Sequence, residues 1–327
     1  MSKIELAIKF GSDEITIFKK GLGIVARQSN YLAVTKSGRI GAYGDKAKNL
    51  VKQKPSQYSL RQPIQGIEVV DRNLALILLK HTLSRAKFEE NALTSAVVAV
   101  PCAMSERKLL ELKSFLKQAG VGKTTFVQNA VCVMRNELNL PDHAKCLVVD
   151  IGKHITDISV ASKYDFESGR DYFIGGAEMD DAVAMYIEDN YLVKVSNDQA
   201  EMIKKEVASL YENDTYTTTF EGLEEDKFVD ITIRANEVRI AIINVYNKIF
   251  DLIKEYINTL PAETSASIKK NGVIFTGGAS SIYGICEFAF NKLNIPVINM
   301  LNPLDAVIIG AGKLIGLSAN DYPHIHI

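Results

Sequence analysis

The chain has 327 residues, a length typical of about two domains, and 38 Lys and Arg against 39 Asp and Glu give it a net charge of −1. Its 47% hydrophobic and 24% charged residues exclude general disorder, because this much apolar surface can offset the entropy of the chain. The balanced charge argues against nucleic-acid binding through bulk charge, so we expect no nucleic-acid partner. No apolar run approaches the roughly 20 residues that a membrane-spanning helix needs.

The start of the chain and its cysteines bear on location. The first ten residues, MSKIELAIKF, alternate polar and apolar side chains, which predicts a strand rather than a signal peptide. Cys102, Cys132, Cys146 and Cys286 share no metal-ligand spacing, and each lies in an apolar context. Free, mostly buried thiols are typical of a reducing cytoplasm, so we expect a cytoplasmic protein.

The first half begins with short strands and then alternates strands with helices. Glycines separate five predicted strands within the first 45 residues. After Asp71, a predicted N-cap, the apolar period changes and indicates a helix over about 71–87. Strands are then predicted at Ser95–Val100 and Thr124–Val127, and helices at Ser105–Ala119 and Ala130–Leu138.

The second half repeats this order, which predicts a duplicated α/β protein with a ligand-binding cleft between its halves. The halves divide near residue 143, and the tail DYPHIHI is expected to be frayed or loosely docked. The predicted strands are Cys146–Asp150, Ile155–Ala161, Asp171–Ile174 and Gly272–Phe275, with a strand-rich excursion at Thr215–Ile233. The predicted helices are Gly176–Tyr191, Asp198–Leu210, Ala235–Leu260, Ile282–Leu293 and Pro303–Leu317.

Three glycine-rich turns follow strands in this pattern: Gly11-Ser12, Asp150-Ile151-Gly152 and Thr276–Ser280. Such junctions let backbone N–H groups approach an anion closely. Each turn alone is a weak signal, because glycine turns occur in any α/β protein. Their order over about 270 residues is far more informative.

Several segments resemble, in order, blocks of the actin superfamily and within it the bacterial MreB family. They include VVAVPCAMSERKLLELKSFLKQAGV, CLVVDIGKHITDISVAS, IGGAEMDDAVAMYIEDNY, GVIFTGGASSI and NPLDAVIIGAGKLI. The resemblance runs from about residue 63 to 317 and implies an α/β, actin-like two-lobed fold, with duplicated ribonuclease-H-like domains and a nucleotide cleft between them. It implies a first lobe at 1–143, with a small subdomain at about 31–70 and the C-terminal helix 306–327 packed back on this lobe. The second lobe is expected at 144–305, with a small subdomain at about 177–242.

The resemblance also implies an ATP-binding, filament-forming protein that acts at the cytoplasmic side of a bacterial membrane. Gly277, Gly278 and Ala279 match the adenosine loop, where a side chain would collide with the nucleotide. Glu201 and Lys204, three apart and so on one helix face, match the adenosine and ribose contacts; a solvated ion pair is the alternative. Further implied cofactor-binding residues are Gly11, Ser12, Asp150, Gly152 and the helix-opening glycines Gly175 and Gly176, whose amides are expected to face the ligand.

The first phosphate loop departs from the family pattern Asp-x-Gly-Thr-x-Asn-Thr. Lys9 stands at the Asp position that helps to place a hydrated Mg²⁺, and Asp13 and Glu14 stand where neutral residues flank the phosphates. One carboxylate about 4 Å from a phosphate charge costs about 4 kcal/mol at an effective dielectric near 20, unless it turns outward. The resemblance implies ATP as cofactor, and these departures make the Mg²⁺ site doubtful, with Asp150 its candidate ligand.

The second loop keeps Asp150, Gly152 and Thr156 but has Lys153 and His154 in place of two glycines. Two interpretations stay open. Lys9 and Lys153 either supply positive charge in place of Mg²⁺, or the loops have drifted in a protein that no longer hydrolyses ATP.

The position of the attacking water departs from the family as well. The family carries Glu-Glu-Pro where this chain has Gln128-Asn129-Ala130, without a carboxylate. An amide can orient water but is a poor base, so hydrolysis is expected to be slow or lost. Gln128, Asn129 and Thr156 are the candidate catalytic residues.

Three functions remain open at this point. The first is an MreB-like cytoskeletal protein whose nucleotide-dependent filaments help determine bacterial cell shape, with impaired or slow ATP hydrolysis. The others are a pseudo-ATPase paralogue that co-assembles with a competent MreB-like subunit, and a slow Mg-ATPase. The expected partners are further copies of the chain and other MreB-like subunits, with a peripheral position at the inner face of the cell membrane as an additional expectation.

Two segments bear on the membrane. The family's apolar membrane loop matches Phe88–Leu93, whereas an N-terminal amphipathic helix is not expected because the first strand begins by Ile4. A basic stretch is interpreted as a solvated face, with contact to anionic lipid or polymer as the alternative. It comprises Lys46, Lys48, Lys52, Lys54 and Arg61.

Overall fold

The computed structural model describes residues 3–66, 68–86, 93–136, 138–224, 227–318 and 321–325. The predicted membrane loop therefore lies outside the described residues, except for the start of a strand at Leu93. The chain divides into two compact units. Unit 1 comprises Met1–Ala144, Ser159–Gly169 and Asp305–Ile327, and unit 2 comprises Lys145–Ile158 and Arg170–Leu304.

The first half contains ten strands and four helices among its described residues. The strands are β1 (Lys3–Phe10), β2 (Glu14–Lys19), β3 (Gly23–Ser29), β4 (Leu32–Thr35), β5 (Ile40–Tyr43), β6 (Tyr58–Arg61), β7 (Ile64–Gln65), β8 (Glu68–Val69), β9 (Leu93–Val100) and β10 (Lys123–Gln128). The helices are α1 (Asp45–Gln53), α2 (Arg72–Arg85), α3 (Glu106–Gln118) and α4 (Asn129–Met134).

The second half adds seven strands, six α-helices and a 3₁₀ helix (Gly278–Ser281) among its described residues. The strands are β11 (Cys146–Ile151), β12 (Thr156–Ala161), β13 (Phe166–Tyr172), β14 (Thr217–Glu224), β15 (Lys227–Arg234), β16 (Val273–Thr276) and β17 (Val297–Ile298). The helices are α5 (Gly176–Tyr191), α6 (Asn197–Val207), α7 (Ala235–Asn258), α8 (Ala262–Asn271), α9 (Ile285–Leu293) and α10 (Ala306–Lys313).

The main sheet of unit 1 has the strand order β10–β9–β1–β2–β3, with β1 antiparallel to β2 and parallel to β9. On one face, Leu6 and Ile8 of β1 and Ile15 and Ile17 of β2 join a fully buried core. On the other face lies α10, where a Cβ on Gly312 would meet the Phe18 ring at 2.6 Å. The central strand, β1, is therefore covered on both sides.

A smaller sheet, β5–β4–β6, packs with α1 in the same unit. The sequence predicts only strands here, so the helix Asp45–Gln53 corrects that prediction. Ala47 of α1 is fully buried, and Leu50 and Val51 pack beside it. These three apolar residues form one narrow stripe among lysines, a signal too short to stand out in the sequence.

The second half contains the sheet order β13–β12–β11–β16–β17. Every residue of β11 and β12 is buried, as expected for strands covered on both faces. The bounds of the strand predicted at Asp171–Ile174 are wrong, because the strand formed is Phe166–Tyr172 and shares only two residues with the prediction. The helix Ala262–Asn271 was not predicted; it follows Pro261, which ends the preceding helical segment and opens this one.

Helix boundaries and the tail differ from expectation in smaller ways. The helices predicted at Ala130–Leu138 and Pro303–Leu317 are shorter, at Asn129–Met134 and Ala306–Lys313. Near the tail, the N–H of Ile325 donates to the Phe126 carbonyl at 2.9 Å, so this part is docked on β10. The N-cap prediction is confirmed, since the Asp71 carboxylate accepts the Leu74 N–H at 3.0 Å.

The four thiols fall into two groups. Cys132 and Cys146 are buried, and burial raises the pKa of each to about 12, so both stay protonated. Cys102 and Cys286 are partly exposed, so the expectation of mostly buried thiols holds for half of them. Among the described residues, no helix combines the length and hydropathy needed to cross a bilayer.

Candidate functional site

Both halves of the chain have the same turn after their first strand. The N–H of Gly11 donates to the Glu14 carbonyl at 3.1 Å, and the N–H of Gly152 donates to the Ile155 carbonyl at 2.9 Å. A Cβ at either glycine would lie only 3.0–3.1 Å from that carbonyl oxygen, so a side chain would push the turn open. The two predicted phosphate loops are therefore equivalent tight turns.

Opposite charges stand two residues before the two turn glycines. Lys9 is half-buried at the carboxyl end of β1, where it pairs with Thr16 of β2. Asp150 is buried at the carboxyl end of β11, where it pairs with Thr276 of β16. Mg²⁺ prefers carboxylate and other oxygen ligands. At this position only the second turn offers such a ligand.

Arg27 holds two carboxylates beside the first turn. Its guanidinium lies 2.5 Å from Oε1 of Glu14 and 2.6 Å from Oδ1 of Asp305, and the Thr16 hydroxyl donates to Glu14 at 2.9 Å. Burial lowers the pKa of Arg27, but its interactions with Asp305 and Glu14 outweigh this and raise it, so the cation is secure. The unfavourable charge expected from Glu14 is therefore compensated within unit 1.

The first turn is also anchored through its backbone. The Ser12 carbonyl accepts hydrogen bonds from Asn30 Nδ2 at 2.8 Å and Gln62 Nε2 at 3.0 Å. Asn30 is fully buried and donates again to the Ile64 carbonyl at 2.6 Å. In a planar trans peptide the N–H points opposite to the C=O. The N–H of Asp13 is therefore directed away from Asn30 and Gln62.

Lys153 in the second turn is bound to Glu201 on α6. The two groups are 3.1 Å apart and only 15% and 14% exposed, and Glu201 also binds Lys205 at 2.7 Å. Burial raises the pKa of Glu201, but Lys205 and Lys153 together bring it down to about 2. The charge of Lys153, one of the two proposed substitutes for Mg²⁺, is thus compensated by a fully ionised carboxylate.

Lys204 has different partners. Its ammonium lies 2.6 Å from Asp180 and donates to the Gly176 carbonyl at 2.8 Å. The side chains of Lys204 and Asp180 are 13% and 4% exposed, and burial raises the pKa of Asp180 to about 6 despite Lys204. Glu201 and Lys204 therefore do not form the solvated ion pair that was the alternative interpretation.

The first N–H groups of α5 bind the second turn. The N–H of Gly176 donates to the Gly152 carbonyl at 2.9 Å, and the N–H of Ala177 donates to the Lys153 carbonyl at 2.7 Å. The N–H of Gly175 donates to the Glu178 carboxylate at 2.7 Å. These amides were expected to face a ligand. Their hydrogen bonds instead position the turn on the helix.

The two glycines of the third turn are explained by different constraints. Gly277 has φ +89°, and a Cβ there would overlap with Asp150 and the Ile151 carbonyl, so packing within unit 2 requires this glycine. At Gly278 a Cβ would meet only Leu304, at an ordinary 3.6 Å. No described protein atom explains Gly278, whereas a ligand lying against its backbone would.

The third turn is fixed by its surroundings. The Gly277 N–H and the Thr276 hydroxyl both donate to the Pro303 carbonyl, at 2.9 and 2.7 Å. The hydroxyl of the buried Tyr246 donates to the Ala279 carbonyl at 2.6 Å. The turn thus presents a preformed backbone surface at Gly278 and Ala279.

The candidate catalytic residues are placed as follows. Gln128 ends β10, and its buried Oε1 accepts no hydrogen bond from the described residues. Asn129 begins α4 and is buried. Thr156 is fully buried, with its hydroxyl donating to the Ile174 carbonyl at 2.7 Å. Gln128 therefore has a buried acceptor that a bound water would satisfy.

Three residues of the site were not predicted from the sequence: Arg27, Asn30 and Asp180. The partners of Arg27 are 13 and 278 residues away, so no local pattern pairs them. Asp180 follows Gly176 by four residues, which places both on one helix face and is a signal that the sequence does carry.

Comparison with known proteins gives a consistent result over nearly the whole chain. Residues 3–320 match the family model "MreB/Mbl protein". The cell shape-determining protein Mbl of Bacillus subtilis (strain 168) is 26% identical over 319 residues, covering 95% of each chain. The cell shape-determining protein MreB of Escherichia coli (strain K12) is 23% identical over 320 residues, covering 94% of this chain and 92% of that one.

Solved structures share the fold. Crystal structures of MreB5 of Spiroplasma citri, bound to ADP or to AMPPNP, superpose with a TM-score of 0.88 at 24% identity, covering 96% of both chains. A structure described as a MamK double helical filament has a TM-score of 0.80 at 21% identity, covering 96% of this chain and 98% of that one. The predicted actin-like α/β fold is confirmed, and the chain belongs to the MreB/Mbl protein family.

Proposed function

We propose that the chain is a cytoplasmic cytoskeletal subunit that binds adenine nucleotide, assembles into filaments with its own copies and helps determine bacterial cell shape. The family match over residues 3–320 supports this, since the Mbl and MreB relatives carry cell shape determination in their names. The MreB5 structures hold ADP and AMPPNP, and MamK forms a double helical filament. Peripheral attachment to the inner face of the membrane belongs to the same proposal.

The observation that carries nucleotide binding is the third turn. Gly278 has an ordinary backbone angle and room for a side chain, yet remains glycine beside a turn that the rest of unit 2 holds in place. A ligand close to this backbone accounts for it. In this proposal Gly277, Gly278 and Ala279 face the adenosine, Glu201 and Lys204 position it from α6, and the turns at Gly11–Ser12 and Asp150–Gly152 take the phosphates.

The residues fit Mg²⁺ only in part. Asp150 is a suitable ligand, but Lys9 at the equivalent position of the first turn is not. Mg²⁺, where bound, would neutralise phosphate charge. We infer that Lys9, which forms no ion pair with a described residue, supplies part of that charge and makes nucleotide binding less dependent on Mg²⁺. Lys153 contributes less, because Glu201 already compensates it.

Slow or absent hydrolysis is the second part of the proposal. Gln128 offers an unsatisfied amide oxygen that can orient a water but cannot accept its proton efficiently. Asn129 and Thr156 offer no carboxylate either. The same residues favour one second candidate, a pseudo-ATPase that co-assembles with a competent MreB-like subunit, over a slow Mg-ATPase.

Sedimentation with ATP, with ADP and without nucleotide, followed by electron microscopy of the pellet, tests the proposal. Wild-type protein is expected to pellet as filaments with nucleotide and to form only short oligomers without it. Gly278→Val should abolish both nucleotide binding and pelleting while the protein stays folded, because its side chain would fill the ligand side of the turn. Ala266→Val on the exposed face of α8 is the matched control and should behave as wild type. Pelleting of Gly278→Val like wild type would contradict the proposal.

A further inference from the structure

Although the net charge of the chain is close to zero, its two units carry net charges of opposite sign. Unit 1 has 24 Lys and Arg against 16 Asp and Glu, a net +8, and unit 2 has 14 against 23, a net −9. The extremes are two short segments. Residues 31–65 have seven Lys and Arg against one Asp, and residues 211–230 have seven Asp and Glu against one Lys. Surfaces so charged attract one another across separate copies of the chain.

The positive segment displays its charge without compensation. Its exposed cations, which we call the basic surface, lie on the β4–β5 turn, on and just after α1, and at the end of β6, and none forms an ion pair with a described residue. The one acidic group of the segment, Asp45, accepts a hydrogen bond from the Ser29 hydroxyl instead. The basic surface comprises Lys36, Arg39, Lys46, Lys52, Lys54 and Arg61.

A groove of about 430 Å³ adjoins the basic surface at Arg61. Its apolar lining includes Leu60, Pro63 and Leu74, together with Val70, a large apolar residue that is more than half exposed. The polar lining includes Gln62, Gln65 and Asp71, whose carboxylate caps α2. A cationic residue beside an open, partly apolar groove suits a partner that offers an apolar side chain flanked by carboxylates.

The negative segment contains a hairpin with such a face. In β14 and β15, Phe220, Gly222 and Ile233 are buried on the inner face. All eight residues of the outer face are exposed, and they form four cross-strand pairs. The pairs are Thr217 with Arg234, Thr219 with Thr232, Glu221 with Asp230, and Leu223 with Phe228.

One of these pairs is unfavourable in isolation, and a neighbouring pair exposes two large apolar side chains. Glu221 lies directly opposite Asp230, and like charges in such a position destabilise a hairpin. Neither forms an ion pair with a described residue. Beside them Phe228 is 75% exposed, opposite the exposed Leu223. Two facing carboxylates next to an exposed apolar pair complement the basic surface and its groove.

We propose that the outer face of the β14–β15 hairpin of one copy docks on the basic surface of a second copy, with Phe228 and Leu223 in the groove and Glu221 and Asp230 facing Arg61 and the lysines. The two faces differ, so each copy offers one and accepts the other, and the contact propagates as an open assembly unless its rotation closes a ring. This inference rests on the proposed self-assembly and specifies which surfaces meet.

Charge reversal tests the interface. One variant carries Lys52→Glu with Arg61→Glu, a second carries Glu221→Lys with Asp230→Lys, and a third combines all four. Sedimentation velocity without nucleotide at about 50 mM salt measures the concentration for half association. Each single-face reversal should raise it at least about tenfold, and the combined variant should return it close to wild type, because the opposite charges meet again. The matched control carries Lys269→Glu with Lys270→Glu at two exposed positions of α8 and should leave the concentration for half association nearly unchanged.

Unchanged association in both single-face variants, or no recovery in the combined variant, would overturn the interface. So would a basic-surface variant that self-associates normally but no longer binds vesicles rich in anionic lipid, because that result assigns the surface to a membrane. Phe228→Ala, at an exposed position, gives a second test that does not depend on charge and should also weaken association. Association as described without filaments in ATP would contradict the proposed function and keep the interface.

Discussion

The ammonium of Lys204 lies 2.6 Å from the carboxylate of Asp180, and this pair joins α6 to α5 in a nearly solvent-free setting. Because Lys204 also donates to the Gly176 carbonyl, the pair fixes the start of the helix that holds the second turn. The Lys204–Asp180 pair therefore links the packing of α6 on α5 to the position of the second turn in the candidate nucleotide site.

Asp180 should make stability depend on pH. Its pKa is about 6 in the folded protein against 3.8 as the ordinary value, so the folded state binds the proton more tightly. This contribution is present below about pH 4 and is lost as the pH rises through 6, a change of about 3 kcal/mol in the free energy of unfolding. Urea unfolding between pH 4 and 7 should show a flatter profile for Asp180→Asn than for wild type. Parallel profiles would contradict the assignment.

Glu201 should act in the opposite direction. Its pKa is about 2 in the folded protein against 4.5 as the ordinary value, so its stabilisation is present above pH 4.5 and is lost as the pH falls towards 2. Glu201→Gln is expected to lower the free energy of unfolding by about 2–3 kcal/mol at pH 7 and to have little effect near pH 2. Urea titrations at both pH values measure this difference. An equal loss at both would point to packing instead of charge.

Arg27 should prevent the negative charge of Glu14 from weakening nucleotide binding. Arg27→Met leaves the Glu14 carboxylate without its cation next to the first turn, so the affinity for ATP should fall at least about tenfold. Adding Glu14→Gln to this variant removes the exposed charge and should restore most of the affinity. Calorimetric titration of the two variants and wild type checks both steps. Failure of the second substitution to recover binding would mean that Arg27 acts through Asp305.

Substitution by alanine should change the stability of the protein by different amounts at the two neighbouring glycines of the third turn. Gly277→Ala forces a Cβ into Asp150 and Ile151 at a positive φ, so it should cost more than about 2 kcal/mol of stability. Gly278→Ala meets only Leu304 at 3.6 Å and should change stability by less than about 0.5 kcal/mol. Thermal and urea unfolding of the two variants compare these values directly. A large loss of stability for Gly278→Ala would remove the case for a ligand at that glycine.

The sequence predicts the order of elements well wherever the apolar pattern is long. The helix predicted at Gly176–Tyr191 has those bounds, and the strand predicted at Ile155–Ala161 differs by one residue. Asp45–Gln53 was missed, because only three apolar residues on nine positions form its stripe. Short amphipathic helices among lysines look like polar loops until tertiary packing selects one face.

For the candidate site, the sequence locates the turns and not the partners of their charges. Glycine positions are visible because a tight turn constrains residue type locally. The pairs Arg27–Asp305 and Lys153–Glu201 join residues 278 and 48 positions apart, so only the fold brings them together. This is also why the cost assigned to Glu14 from sequence is too large, since Arg27 compensates its charge.

Equilibrium binding of ATP to the purified wild-type protein, with and without Mg²⁺, is the decisive test of the proposed nucleotide site. Calorimetry at a concentration below the pelleting threshold separates binding from assembly. Saturable binding is expected, and it should weaken less than about tenfold when Mg²⁺ is removed, because Lys9 supplies part of the positive charge. Absence of binding up to millimolar ATP in both conditions would contradict the proposed nucleotide site.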